Sequence, residues 1–106
     1  MITNNYQVFA TDTFKEIFET LDGAEQQWIT KIKHSVEESE YPTGKILHFT
    51  WFREKKYLNK RLFFLIDEAS KKILFVSFTS KKEQQGVIDL VIQNKEALLN
   101  NLRNLK

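Results

Sequence analysis

Two stretches decide how this chain folds: FREKKYLNKRLFFLID, residues 52–67, and ILFVSFTSKKEQQGVID, residues 73–89. The first stretch reads as a strand, a tight turn at Leu58–Lys60 and a second strand. Residues Arg61–Ile66 are apolar on both faces, as in the centre of a sheet, and Ile73–Phe78 repeat that pattern. We therefore predict three consecutive strands that form an antiparallel meander.

The first strand of this meander extends backwards in the sequence. Leu47, Phe49 and Trp51 alternate with polar residues, which is the period of a strand with one buried face. The alternation predicts one long strand over Lys45–Tyr57. The preceding run Tyr41-Pro42-Thr43-Gly44 is the clearest structure breaker in the chain.

Two amphipathic helices are predicted before this breaker, after a short strand at Tyr6–Ala10. In the first helix, apolar residues recur at helical spacing from Phe14 to Leu21, and Thr13 with Glu16 matches a capping box. The second helix is predicted over residues 24–39. Together the two helices form a helical hairpin.

A long final helix is predicted over Lys81–Leu105. Ser80 and Glu83 match a second capping box, and apolar residues continue at helical spacing to the end of the chain. Its last turns, from Leu98 to Leu105, are expected to cover the sheet. Pairing with a second copy of the chain or with another protein is the alternative.

The predicted fold class is α+β, in a single domain over residues 1–106. An N-terminal helical hairpin and a C-terminal helix pack on a small, mainly antiparallel sheet. The length supports one hydrophobic core of modest size, and 42% hydrophobic residues are typical of a folded globular protein.

The charges divide the chain into two halves. Residues 1–43 hold three Lys against eight acids, whereas residues 53–82 hold nine Lys or Arg against three acids. The net charge of +2 hides this asymmetry. A cluster of cations on a small sheet is typical of phosphate binding.

Several classes of function are excluded or disfavoured. The chain has no Cys, so it has no disulfide, thiolate metal site or Cys nucleophile. His34 and His48 do not have the spacing of metal ligands, and three Gly do not provide a Gly-rich phosphate loop. No apolar run reaches the length of a membrane span and no signal peptide is visible. We expect a soluble cytoplasmic protein.

The direction of the strands indicates which of these cations lie at the same end of the sheet. Arg53, Lys55 and Tyr57 alternate onto one face of their strand, with Glu54 and Lys56 on the other. Arg61 opens the next strand, and the third strand returns to the same end of the sheet before Lys81 and Lys82. Lys71 and Lys72 fall at the opposite end. The alternative interpretation is a charged hairpin that prevents edge-to-edge aggregation.

The quoted stretches resemble the RelE/ParE superfamily of toxins from toxin–antitoxin systems, and RelE-like proteins in particular. The shared features are a basic strand, a second strand that begins with K-R and aromatic residues, and a K-K-x-Q-Q helix start. The resemblance extends from Phe52 to Asp89 in its motifs and over most of the chain in its architecture. RelE-like toxins are small ribonucleases that cleave mRNA in the ribosomal A site.

The resemblance implies roles for particular residues. Arg61 would stabilise the phosphate during attack by the ribose 2′-hydroxyl, and Lys55, Lys56 or Glu54 would accept the hydroxyl proton. Lys81 completes the implied catalytic set. The implied RNA-binding residues are Arg53, Lys56, Tyr57, Lys60 and Lys82. The chain has Ser80 where many relatives have His or Asp before the lysines, so the resemblance does not identify the general acid.

The resemblance also implies that the protein needs no metal or organic cofactor. The partners that it implies are an antitoxin, the ribosome and mRNA. The acidic N-terminal helices are expected to face away from RNA. Two alternatives remain at this point, a ParE-like protein that poisons DNA gyrase without nuclease activity, and a catalytically degenerate module that binds RNA or an antitoxin.

Overall fold

A five-stranded mixed sheet forms the centre of the described part of the chain. A computed structural model describes residues 5–39, 44–47 and 49–105. The elements follow in the order β1 (Gln7–Ala10), α1 (Asp12–Thr20), α2 (Gly23–Glu37), β2 (Lys45–Leu47), β3 (Phe49–Tyr57), β4 (Lys60–Asp67), β5 (Lys72–Ser80), a 3₁₀ turn (Lys81–Glu83), α3 (Gln84–Gln93) and α4 (Lys95–Asn104). The strand order is β1-β5-β4-β3-β2, in which β1 and β5 are parallel and all other neighbours are antiparallel. The predicted α+β class and mainly antiparallel sheet are confirmed.

The β3–β4–β5 meander is confirmed, but its first turn is shorter than predicted. Tyr57 pairs directly with Lys60, so the loop contains only Leu58 and Asn59. Leu58 adopts a φ of 53°, in the left-handed region. β4 is buried on both faces from Leu62 to Ile66, as its apolar pattern predicts.

The helical hairpin α1–α2 packs on one face of the sheet. Phe14 of α1 and Ile29 of α2 are buried against a core that includes Phe64 and Phe75 of the two central strands. Phe14 and Phe75 meet edge to face, with ring centroids 5.6 Å apart. The apolar faces predicted for both helices therefore lie inward.

The caps of these helices differ from the predicted one. α1 begins after Thr11, whose hydroxyl accepts the Phe14 N–H at 3.0 Å. The predicted capping box of Thr13 and Glu16 is wrong, because Thr13 already lies inside the helix. The capping box instead occurs at α2, where Asp22 and Glu25 each accept the backbone N–H of the other.

The other face of the sheet is covered by α3 and α4. Ile88, Val91, Leu99 and Leu102 pack there in a second core that contains Phe63. The burial of Leu99 and Leu102 confirms that the last turns of the chain cover the sheet.

The single final helix that the sequence predicts is wrong in two places. Its first three residues form a 3₁₀ turn, and Ser80 makes no side-chain cap bond. A second interruption occurs at Asn94, whose side-chain amide donates to the Leu90 carbonyl at 2.8 Å. An Asn side chain that bonds its local backbone competes with helix propagation, so α3 ends there and α4 begins at Lys95.

The long strand predicted over Lys45–Tyr57 is also wrong, because the chain reverses within it. β2 pairs antiparallel with β3, placing Lys45 beside Glu54. Gly44, with a φ of 93°, precedes β2. The predicted breaker at residues 41–43 lies outside the described residues. Of the helices in the described ranges, none has the length and apolar character needed to cross a membrane.

Candidate functional site

The candidate site lies at the end of the sheet where the β3–β4 hairpin meets the end of β5. Arg61 on β4 pairs with Lys56 on one side and with Thr79 on the other. Neighbouring strands lie about 4.8 Å apart, and Lys81 follows Thr79 by two residues. The structure thus brings Arg61, Lys56, Lys81 and Lys82 to one end of the molecule.

Alternation along β3 and β4 divides the predicted residues between the two faces of the sheet. Glu54 pairs with Phe63, which lies in the core beneath α3 and α4. Because side chains alternate along a strand, Glu54, Lys56 and Arg61 share this face. The acidic helices α1 and α2 cover the opposite face.

Four of the predicted residues lie on the face beneath α1 and α2: Arg53, Lys55, Tyr57 and Lys60. The Lys60 ammonium is 2.6 Å from the Glu25 carboxylate of α2, and the Tyr57 ring lies 4.9 Å from the ring of Trp28. Tyr57 is therefore part of the packing between β3 and α2. The Arg53 Nε donates to the Thr50 carbonyl at 3.1 Å. The structure does not place these side chains beside Arg61.

Glu54 is a buried acid in the middle of the basic end, with only 5% of its surface exposed. Its Oε2 accepts a hydrogen bond from the side-chain amide of Gln84 at 2.7 Å. The same oxygen lies 3.5 Å from the Nε of Arg61, whose side chain is 12% exposed. A buried carboxylate is costly unless it is paired and hydrogen-bonded, and Glu54 is both.

The cations of this site repel one another. Lys56 lies directly opposite Arg61 in the ladder, and like charges at such positions destabilise a sheet. Lys81 and Lys82 are exposed in the 3₁₀ turn, close to the end of β5. Glu54 offsets one of the four positive charges. Several phosphate groups of a bound strand would offset the others, so this arrangement is suited to binding a polyphosphate backbone.

Residues 5–39, 44–47 and 49–105 contain no group of three or more His, Asp or Glu that could hold a metal ion. His34 lies on α2, 3.5 Å from Glu37. His48 lies outside the described residues.

Sequence reasoning missed the contact between Gln84 and Glu54, and the pairing of Glu54 with Arg61. Side-chain alternation would have indicated the pairing only with a two-residue loop at Leu58 and Asn59, which aligns residues 54, 56 and 61 on one face, and the predicted turn also included Lys60. Gln84 gave no comparable signal, since its position depends on the 3₁₀ turn that precedes α3.

Comparison with solved structures identifies the fold. The M. tuberculosis RelBE2 toxin–antitoxin complex contains a chain that is 15% identical, with a TM-score of 0.61; the match covers 73% of this chain and 99% of that one. A doubly substituted mutant of the E. coli toxin RelE in the free state is 13% identical with a TM-score of 0.69, covering 84% and 97%. A structure of the isolated E. coli RelE toxin is 12% identical with a TM-score of 0.58, covering 80% and 98%.

No protein-family model and no curated protein sequence matches the chain. The likeness therefore lies in the backbone, and it extends over nearly the whole length of each solved toxin. The four helices packed on the mixed five-stranded sheet belong to this likeness. The chain has the fold of the RelE toxins.

Proposed function

We propose that this chain is the toxin of a toxin–antitoxin pair and acts as a metal-independent endoribonuclease on ribosome-bound mRNA. The observation that supports this proposal most strongly is the convergence of Arg61, Lys56, Lys81 and Lys82 on one end of a RelE fold. Its partners are an antitoxin, by analogy with the RelBE2 complex, and the ribosome with its message.

The proposed reaction is transesterification within the RNA strand. The ribose 2′-oxygen attacks the adjacent phosphorus, and the bond from phosphorus to the 5′-oxygen breaks. Arg61 stabilises the charge that develops on the phosphate oxygens, while the three lysines hold the neighbouring backbone. The products are a 2′,3′-cyclic phosphate and a free 5′-hydroxyl.

Of the three predicted bases, Lys55, Lys56 and Glu54, we propose the carboxylate of Glu54. It lies 3.5 Å from Arg61, whereas Lys55 projects to the face covered by α1 and α2. The Glu54 carboxylate accepts the proton of the 2′-hydroxyl, and solvent supplies a proton to the leaving 5′-oxygen. A base must reach hydrogen-bond distance of the proton that it removes, so RNA has to approach this buried carboxylate closely.

One observation favours a second function, that of an RNA-binding module without nuclease activity. Glu54 is buried and already hydrogen-bonded to Gln84, and Arg61 is also largely buried. Both groups would then hold the hairpin against α3, and the exposed lysines alone would bind the RNA backbone.

Primer extension on a message translated in a cell extract distinguishes the nuclease from the RNA-binding module. Wild-type protein is expected to produce defined breaks, and Arg61→Ala and the double variant Lys81→Ala/Lys82→Ala to produce none. The double variant replaces exposed side chains and should remain folded, as circular dichroism can confirm. Intact message with wild-type protein would contradict the nuclease proposal; RNA binding without breaks would then support the second function, and inhibition of gyrase a third.

A further inference from the structure

The proposed phosphate site contains an acidic side chain of the protein itself, the carboxylate of Glu54. The carboxylate of Glu54 lies against the Nε of Arg61, on the same face of the sheet as Lys56. Gln84, from the first turn of α3, fixes the same oxygen at 2.7 Å. The acid is therefore held in position from two sides.

Arg61 makes this contact with only part of its guanidinium group. Within the described residues, its hydrogen-bond and ion-pair partners are limited to Glu54 through Nε. Its two terminal amino groups bind no protein acceptor there. A guanidinium group presents these donors as a planar fork that matches two phosphate oxygens.

A phosphate on this fork would lie within a few ångströms of the Glu54 carboxylate. The two anions repel each other, and the repulsion is strong because both lie in a partly buried region of low dielectric constant. A single phosphate gains little from Arg61 while Glu54 remains beside it. A strand with several phosphates also contacts Lys56, Lys81 and Lys82, and these additional contacts offset the repulsion.

We propose that Glu54, held by Gln84, is an internal competitor for phosphate at Arg61 and makes this site select a polyanionic RNA strand over an isolated phosphate. The choice of RNA as the ligand rests on the proposed function. The competition itself does not depend on cleavage, since it concerns only the binding of the backbone.

The test is the affinity for a single-stranded RNA oligonucleotide with 2′-O-methyl riboses, measured by fluorescence anisotropy at low salt. The 2′-O-methyl group removes the attacking hydroxyl, so binding is measured without cleavage. Glu54→Gln keeps the shape of the side chain and an acceptor for Gln84, and it should bind the RNA about tenfold more tightly than the wild type. Inorganic phosphate should also displace RNA from Glu54→Gln at lower concentrations than from the wild type.

The matched control is Glu83→Gln, which removes the same charge from an exposed position beside Lys82. It should change the affinity by less than about twofold, because exposed charges are well screened. An equal increase in RNA affinity for Glu54→Gln and Glu83→Gln would show that only the net charge of the protein matters, and it would overturn the proposal. A folded Glu54→Gln that binds as the wild type or more weakly would overturn it as well.

Gln84→Met provides a second variant in case Glu54→Gln does not fold. It keeps the charges of Glu54 and Arg61 and removes only the side-chain amide that donates to Glu54. It should bind the RNA a few times more tightly, and unchanged or weaker binding would overturn the proposal. If the wild type binds the RNA and neither variant has a higher affinity, the proposal that Glu54 competes with phosphate is wrong, while the proposed RNA site is retained. Absence of RNA binding in the wild type and in both variants would overturn the RNA site, and the proposed function with it.

Discussion

Lys60 and Arg61 are consecutive residues, yet they pair with carboxylates on opposite faces of the sheet. Lys60 lies 2.6 Å from Glu25 in the helical hairpin, and Arg61 lies 3.5 Å from Glu54 beside α3. Both cations begin β4, where side chains alternate between the two faces. One of these residues therefore joins the sheet to α2, and the other belongs to the candidate site.

This division predicts different results for alanine at the two positions. Lys60→Ala should leave RNA binding and cleavage within about twofold, because its ammonium lies on the face away from the site. It should lower the free energy of unfolding by about 1 kcal/mol through loss of the pair with Glu25 and of the contact with the Phe78 ring. Urea unfolding and the extract assay measure the two effects separately.

Arg61→Ala should instead abolish the RNA-dependent activities, and it should also destabilise the protein by leaving Glu54 buried without its cation. The activities of Arg61→Ala and the wild type are compared at equal concentrations of folded protein, which separates the loss of activity from the loss of stability. An active Arg61→Ala with an inactive Lys60→Ala would place the site on the other face of the sheet.

The two exposed lysines are expected to act through the RNA backbone alone. Lys81→Ala and Lys82→Ala should each reduce the slope of log affinity against log salt by about 0.7, the value for one phosphate contact in a single strand. Stability should change by less than about 0.5 kcal/mol, because both side chains are exposed. Binding titrations at four salt concentrations measure the slope.

Lys31→Ala is the control for this series, since Lys31 is an exposed residue of α2 on the opposite face. Its slope should equal that of the wild type. Equal losses at all three positions would indicate a general charge effect and not contacts at the site.

Turn length explains why the sequence predicted Arg61 near the other cations but did not predict its pairing with Glu54. A three-residue turn at Leu58–Lys60 would set Arg61 opposite Tyr57, on the face of Lys55. The structure has a two-residue loop, which sets Arg61 opposite Lys56. A slip of one residue moves a side chain to the other face, so the pairing with Glu54 depends on a detail that apolar patterning does not contain.

The elements themselves were more predictable than their ends. Apolar periodicity identified β4, β5 and the buried faces of α1 and α2, because burial of these residues stabilises the fold. It did not predict the break at Asn94, where a local side-chain hydrogen bond ends the helix, nor the reversal between β2 and β3.

The short β3–β4 loop contains Leu58, a position at which a substitution is expected to increase stability. Leu58 has a φ of 53° and is 75% exposed, so it combines a costly backbone conformation with little burial. Leu58→Asn should raise the free energy of unfolding by about 0.5 kcal/mol, because Asn adopts this conformation more readily. A lower urea midpoint for Leu58→Asn at unchanged slope would show that the Leu side chain makes a stabilising contact. RNA binding should not change.

Docking of α4 on the sheet is expected to depend on Leu102. This side chain has no exposed surface, and truncation to Ala should cost about 2–5 kcal/mol. Leu90→Ala is the matched control, because Leu90 is 61% exposed, and it should cost less than about 0.5 kcal/mol. Thermal unfolding of both variants provides the comparison. Similar stabilities would mean that α4 contributes little to the folded state.

Gly44 is expected to be essential for the approach of β2 to the hairpin. A Cβ atom at this position would lie 2.9 Å from the Glu54 carbonyl oxygen and 2.9 Å from the Phe64 ring, and the φ of 93° is strained for any other residue. Gly44→Ala should therefore lower the free energy of unfolding by at least about 1–3 kcal/mol. Because the contact falls on the backbone of Glu54, it should also weaken RNA binding in the fraction that remains folded.

Gly86→Ala is the matched control for this last prediction. A Cβ at Gly86 would meet no atom within 4 Å, and the residue lies in α3. This variant should be more stable than the wild type by up to about 1 kcal/mol, since Ala favours a helix over Gly. Equal urea midpoints for the two Ala variants would show that β2 does not hold Gly44 against Glu54 in solution, and the buried position of Glu54 would then need another explanation.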